Sequence, residues 1–585
     1  MRFDKLIILV LTILAVVHVA YSQKRSERGV VYVSTSGNDA NDGISKATPV
    51  RSIQTGISRA VEHKIRVILI TTGLYTPGSG LNVGDSGVVI TNSDISIVGG
   101  WNSSFDKIVG YSELDGDNKV KHVIFATNVT NVVMSNLVVR KGYAGKFPHN
   151  RGGGIYLSNV SYSLVSNVVV SNNSAEGDGG GICLISSSNN TISATVYTNV
   201  SSFNGGGMFL NSSHNNKISG NIYNNRTSGG GGGLILELSD NNTITGNIYN
   251  NSANGGGGGI YLDSSYNNTL SGSVYSNSAD YDGGGIFLLS SDNNKISGII
   301  YGNDTDMNGG GAYLELSSGN VISSSICNNS SASNGGGLIL YLSSNNTISG
   351  NVYNNSANFG GGGCLVLSAN NRVSGDVYNN SSVDFGGGLI LYLSSDNTLS
   401  GNVYNNRSTS YVGGGIFLLL SSNNTVSGNV YGNSANAFGG GIFLGLSYKN
   451  TISGNVYNNS ASFGGGIVID TSPSTFVLNS YITNNWATLT NSVIHINGDS
   501  SGLVISNCFI GGNNKIDSIG IYEDNQDVMG HKLVNNTFIT NRLKFLYREF
   551  TDSRFITNDS GWMRINNPSA IDSTADSVNN KATNM

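Results

Sequence analysis

The chain has 585 residues, 80 of them glycine and only 5 proline, and charged side chains make up 11%, under half the usual share of about 25%. Glycine without proline and without a three-residue period excludes a collagen. A formal charge of −5, with no clustered basic residues in the repeats, argues against a nucleic-acid partner and leaves Asn, Ser, Thr and Gly to form the outer surface.

The N-terminus reads as a secretory signal over residues 1–22. Met1, Arg2 and Lys5 form a positive start, Leu6 to Ala20 is apolar, and Ala20-Tyr21-Ser22 offers small residues for cleavage before Gln23. The alternative is an uncleaved anchor, so membrane association is expected only through such an anchor or through a partner. No cysteine follows the cleavage site, which argues against a lipoprotein, and no other stretch is apolar for the length of a helical span.

Residues 23–150 read as a cap with the first coils. Val30 to Ser34 has strand character, a polar turn follows up to Gly43, Ile53 to Val61 suits a short amphipathic helix, and Arg66 to Thr71 suits a second strand. Coils are expected to begin near Ile90 and Val98.

Residues 151–470 carry a block of about 26 residues thirteen times over. The last glycine of each run falls at 154, 181, 207, 233, 259, 285, 311, 337, 363, 388, 415, 441 and 466. A fixed period of this size means a solenoid, in which each unit buries its apolar face against its neighbours. One residue after that glycine stands an apolar residue such as Ile182, Leu234, Ile286 or Cys364, and three after it Leu184, Leu236, Leu288 or Val366. Two apolar positions two apart are the period of a strand with one face inward. An invariant asparagine follows (Asn190, Asn216, Asn242, Asn268, and on to Asn450). It suits a turn and can bond along the stack. A second β-prone run of the Thr-Ile-Ser-Gly-Asn-Val-Tyr type closes on the next glycines.

Short strands separated by Asn and Gly corners describe an all-β chain, a right-handed parallel β-helix with about 26 residues per coil. At about 4.8 Å per coil, the thirteen copies would make a rod roughly 60 Å long. A β-propeller needs about 40–50 residues per blade, and a calcium β-roll needs a nine-residue Gly-Asp repeat; neither fits. Residues 471–565 read as coils with longer corners, and residues 566–585 as a disordered tail. The four cysteines, Cys183, Cys327, Cys364 and Cys508, read as small hydrophobes in the stack, without a disulfide framework or zinc-site spacing.

Val31-Tyr32-Val33-Ser34, Ser36-Gly37-Asn38-Asp39, Asp42-Gly43, Thr48-Pro49, Ser52-Ile53-Gln54 and the later Gly99-Gly100-Trp101-Asn102 with Phe105 resemble secreted right-handed β-helix proteins of the pectate-lyase-like superfamily. The repeats, with Gly-Gly-Gly-Ile and Asn-Ser-Ala, are similar to passenger repeats of polymorphic outer membrane proteins. Tyr481-Ile482-Thr483-Asn484 and Phe538-Ile539-Thr540-Asn541 fit the second motif of that group; most copies here read Tyr-x-Asn, one residue shorter. The resemblance implies export and, in a Gram-negative cell, an outer-membrane location. That group ends in a membrane barrel, and no run of about ten alternating strands is present here, so free secretion or attachment through a partner is the expectation.

The resemblance also puts polysaccharide lyases and hydrolases in view. Their chemistry needs carboxylates on neighbouring coils, with Ca²⁺ and a basic residue for elimination or a second carboxylate for hydrolysis. The best-placed pair is Glu237 and Asp263, four residues past the glycines of adjacent copies; Glu315 shares the phase further along. They read as solvated carboxylates, and no catalytic residue or resident metal is expected. No cofactor is expected either, although corner residues Asp280, Asp282, Asp304 and Asp306 leave room for Ca²⁺. The ligand-binding candidates stand two residues past the glycines, where side chains should point outward: Phe209, Tyr261, Phe287, Tyr313, Phe417 and Phe443, with Tyr156 before them. The competing reading is that a flanking segment covers this row, or that outer stacking simply steadies the sheet. The repeated tyrosine (Tyr223, Tyr249, Tyr275, Tyr353) reads as a structural stack, and the many Asn-x-Ser/Thr sequons as turn composition. The function expected from these features is a non-enzymatic, secreted or cell-surface, adhesin-like protein that binds an extracellular glycan or a surface protein. A polysaccharide lyase or hydrolase is the alternative.

Overall fold

The computed structural model describes residues 29–145, 150–490 and 492–511, with short stretches between 519 and 565. The expected signal peptide at 1–22 and tail at 566–585 lie outside the described residues. The chain divides into two compact units between Ala279 and Asp280.

The first unit opens with the strand Val31–Val33, which lies parallel to Val67–Thr71, itself parallel to Ser96–Trp101. Between them runs the helix α1, Ile53–Glu62. Ser52 caps it by accepting from the Thr55 backbone N–H at 3.2 Å, which satisfies one of the free donors of the first turn. Its apolar face, Ile53, Gly56, Ile57 and Ala60, is buried. The strand, helix and strand expected from the sequence are therefore present, within a residue or two at each end.

Each later coil has short parallel strands on three faces, the second face carrying two in most coils. In one coil the first is Leu234–Glu237, the second face holds Thr243–Ile244 and Ile248–Tyr249, and the third holds Ser252–Ala253. Within the unit, strands bond to their equivalents in the neighbouring coils: Leu234 lies beside Met208 and Ile260, and Ile248 beside Ile222 and Val274. Leu234, Leu236, Ile244, Ile248 and Ala253 point inward and are buried. Stacking like on like builds one continuous apolar column from a unit too small to bury anything alone.

The corners are polar and buried. The Asn242 backbone N–H donates to Asn268 Oδ1 at 2.8 Å, and its Nδ2 donates to the same oxygen at 3.2 Å and to the Ser213 carbonyl at 3.0 Å. A second ladder repeats the device from Asn199 through Asn225 to Asn251. A serine ladder runs beside them, with the Ser213 N–H on Ser239 Oγ at 3.0 Å. These ladders satisfy backbone donors that the turning chain cannot pair within its own sheet.

The second unit repeats the coil, with Leu391 beside Leu418 and Leu418 beside Leu444. Its coils go on past Asp470: Ser492–Asn497 pairs with Ile467–Asp470, and Phe476–Leu478 with Val504–Ser506. The strands Ser553–Ile556 and Trp562–Ile565 pair antiparallel. One phase assignment needs correction. Leu338 lies beside Gly363, Ile339 beside Cys364 and Leu340 beside Leu365. Gly363 therefore takes the first inward position, Cys364 the second position and Leu365 the third. An extra glycine within a coil one residue shorter than its neighbour shifted the count. At the true last position of a run no side chain fits: a Cβ on Gly441 would stand 2.6 Å from the Gly466 carbonyl oxygen of the next coil.

Candidate functional site

The row of aromatic candidates leaves the sheet on the outer side, as its phase requires, but it is not a free surface. Phe209 is 1% exposed, and Phe287, Tyr313 and Phe417 are also buried; Tyr261 and Phe443 are half-buried. The cover is the glycine run of the same coil. Gly257, Gly283, Gly309, Gly413 and Gly439 each have φ between 65° and 69°, and a Cβ there would stand 2.8–2.9 Å from the Cβ of Tyr261, Phe287, Tyr313, Phe417 or Phe443. Only a residue without a side chain can fold this closely over a ring. The glycines thus serve two purposes, a left-handed corner and a roof. Cys183, Phe209 and Ile235 form a buried cluster under it, with Tyr156 and Tyr261 packed against its edges. The outward, accessible stripe expected from the sequence is corrected to a covered hydrophobic column.

The column is open at its beginning. Val89 lies beside Phe125 and Phe125 beside Tyr156, all in the same phase. Here a cavity of about 420 Å³ is lined by Asn82, Val83, Asp85, Ser86, Val89, His122 and Phe125. His122, Phe125 and Tyr156 form a ring cluster, with centroids 5.1–5.6 Å apart. His122 Nδ1 is 3.0 Å from the Gly152 carbonyl oxygen, so Nδ1 carries the proton, because a carbonyl can only accept. Lys121 pairs with Asp85 at 3.0 Å. The helix α1 steadies the floor: Gln54 Oε1 accepts from the Val89 N–H at 2.8 Å, and Gln54 Nε2 donates to the Val89 carbonyl at 3.1 Å. The cavity therefore offers one half-buried ring, carboxylate and amide groups, and a fixed backbone. The sequence reading missed it, because Asn82, Asp85, His122 and Phe125 come from segments with no repeat to mark them. The one usable signal was that Phe125 precedes the first glycine run, which ends at Gly154.

Glu237 and Asp263 are neighbours in register and both half-exposed. Asp263 Oδ1 accepts from its neighbour Ser264 Oγ at 3.0 Å. Among the described residues no ion pair joins either carboxylate to a cation. The corner aspartates lie in the second unit. Asp282 Oδ1 accepts from Asn308 Nδ2 at 2.8 Å, yet burial pushes its carboxyl above the ordinary range. Burial and then Asp306 push Asp304 up; burial and then Asp282 do the same to Glu315. The repeated tyrosines stack outside the second face, half-exposed, with centroids 4.8 Å apart from Tyr353 through Tyr457. Their ring faces cover each other, so only ring edges meet solvent.

A family model described as right handed beta helix region matches residues 299–455. The protein is a right-handed β-helix protein. A second model, described as periplasmic copper-binding protein (NosD), matches the β-helix over residues 79–257 and 129–320. These matches bear on the β-helix part of the resemblance and not on its outer-membrane-protein part. No curated protein matches the sequence. Among solved structures, a PL6 family alginate lyase, AlyGC, aligns with 91% of this chain and 98% of its own, at 9% identity and a TM-score of 0.22. So slight a likeness carries no argument.

Proposed function

We propose that this β-helix is an exported binding protein that holds an extracellular glycan, without transforming it, in the cavity beside Phe125. The observation that carries the reading is the opening of the aromatic column there. A half-buried ring for the apolar face of a sugar stands beside the hydrogen-bonding groups of Asn82, Asp85 and Ser86, on a floor clamped by Gln54. Export is supported by the signal pattern at residues 1–22 and by the word periplasmic in the description of the matching family. A surface protein is the other partner class, and the test separates the two.

The copper in that family's description asks whether this chain has the donors. Copper favours thiolate, thioether and imidazole ligands. The four thiols are buried and free, each on a different coil, and among the described residues no three His, Cys, Asp or Glu side chains gather to hold a metal ion. The described His, Cys, Asp and Glu donors do not fit copper.

A lyase or hydrolase is the second reading, favoured by the register that sets Glu237 beside Asp263. Glycan arrays followed by calorimetry on the secreted form test the first reading. Binding to at least one glycan that Phe125→Ala weakens about tenfold or more supports it, a loss in line with truncating one stacked ring. Binding untouched by that change, or no glycan bound and a surface protein captured instead, refutes it. Release of unsaturated or reducing ends, with or without Ca²⁺, lost in Glu237→Gln, would make the protein an enzyme.

A further inference from the structure

The corner after the first strand of each coil holds a residue with φ near +50°. In the first unit it is Ser186, Ser212, Leu238 and Ser264. In the second unit, after Ser290, it becomes leucine six times in succession: Leu316, Leu342, Leu367, Leu393, Leu420 and Leu446. A left-handed backbone costs an ordinary side chain about 1–2 kcal/mol, and serine at the same phase shows that the corner does not require leucine. The six leucines are also 40–51% exposed. Folding of the chain alone gains little from them.

The row is regular. Leu342 donates its N–H to the Val366 carbonyl at 3.0 Å, Leu367 to Tyr392 at 3.0 Å, Leu393 to Leu419 at 3.1 Å and Leu420 to Gly445 at 3.1 Å. Each leucine therefore repeats at one strand spacing. Tyr341, Val366, Tyr392 and Leu419 stand beside it on the preceding position, partly or largely exposed. Within these two rows, charge occurs only at the borders, Glu315 before the first leucine and Asp470 after the last. With Tyr392 38% exposed among the six leucines, the two rows make a contiguous exposed apolar stripe six coils long, the kind of patch that marks an interaction face.

We propose that this leucine stripe is the interface with a second copy of the chain, the two stripes lying antiparallel about a two-fold axis. A row of equal side chains at constant spacing is its own complement after such a rotation, each leucine entering the gap between two of the partner. Burying the uncharged stretch desolvates no ion, so the apolar gain is not offset.

The test is sedimentation equilibrium of the mature full chain beside a variant carrying Leu342→Ser, Leu367→Ser and Leu393→Ser. The expected result is a dimer whose dissociation constant rises about 100-fold or more in the variant, while circular dichroism and the melting temperature of the variant monomer hold or improve. Leu238→Ser, at the same phase outside the stripe, leaves the dimer intact. A wild-type chain that stays monomeric at high micromolar concentration overturns the proposal, as does a variant that remains dimeric. Monomers that instead bind phosphatidylcholine vesicles through the leucines overturn it in favour of a membrane.

Discussion

Asn371 Oδ1 accepts two hydrogen bonds from Asn346, one from the backbone N–H at 2.8 Å and one from Nδ2 at 3.2 Å. Asn371 passes the pattern on, donating Nδ2 to the Ser343 carbonyl at 3.0 Å and to Asn397 Oδ1 at 3.1 Å. One buried side chain thus serves three coils. Asn371→Ala would strand the Asn346 N–H and remove a donor from the Ser343 carbonyl where neither meets solvent. The expected loss is about 2–4 kcal/mol. Asn371→Asp keeps an acceptor, loses both donors and buries a charge, so it should cost more. Urea unfolding gives the order, and hydrogen exchange at the Asn346 amide should quicken in both variants. An alanine variant as stable as the parent would remove the ladder from the determinants of folding.

Phe209 and Phe125 share a phase, and their surroundings divide their roles. Phe209 is enclosed by Cys183 and Ile235 and has the Arg151 guanidinium 5.7 Å above its ring; Phe125 faces the cavity. Phe209→Ala should cost about 3–5 kcal/mol and leave glycan binding by the folded protein intact. Phe125→Ala should do the reverse, a small stability change and a large binding loss. Gly413→Ala tests the roof itself: at φ +68°, with its Cβ 2.8 Å from that of Phe417, it should destabilise by more than ~1 kcal/mol. Melting curves and calorimetry on the three variants separate cover from site, and equal binding losses for Phe209→Ala and Phe125→Ala would merge them again.

The inward leucines and the Asn190 to Asn450 ladder were legible because a stack forces the same residue into the same place in every coil. The second asparagine ladder was hidden in the pair Tyr-Asn-Asn, where sequence alone does not say which amide turns in. The roof was hidden for a different reason. Position two past the glycines is outward by strand phase, and phase says nothing of a corner that folds back over it. Gly363 misled the count because glycine can close a run or open a strand. The cavity residues Asn82, Asp85 and His122 lie outside the repeat, so their convergence depends on how the cap meets the first coils. The positive φ of Leu342 or Leu393 leaves no mark in a sequence, since leucine is rare there.

Asp282, Asp304 and Glu315 have folded-state carboxyls raised by burial. The folded chain therefore holds protons that the unfolded chain has released. Their contribution is fully present below the unfolded value of about 4 and is lost as pH rises through the raised folded values. The second unit should gain stability as pH falls from neutrality toward about 4, as far as these groups govern it. Asp282→Asn keeps an acceptor for Asn308 and should raise neutral-pH stability and flatten that slope. Urea midpoints across the window measure it. Repeating them with Ca²⁺ tests the corner as a cation site: a rise in the parent that Asp282→Asn lacks places the ion there. A parent whose stability climbs with pH over the window would contradict the buried-carboxyl account.

The thiols report on each unit from inside. Burial pushes Cys183 far up, Cys364 to about 12 and Cys508 to about 11. The thiolate is the nucleophile, so a raised value and a closed site both suppress reaction. At pH 8 the folded protein should resist iodoacetamide at all three. In rising urea, Cys183 should label as the first unit opens, and Cys364 as the second does. Mass spectrometry of the labelled peptides resolves the two. Rapid labelling of Cys364 in the absence of urea would show that the roof over the column opens locally, and the covered column would then have to be treated as an accessible surface.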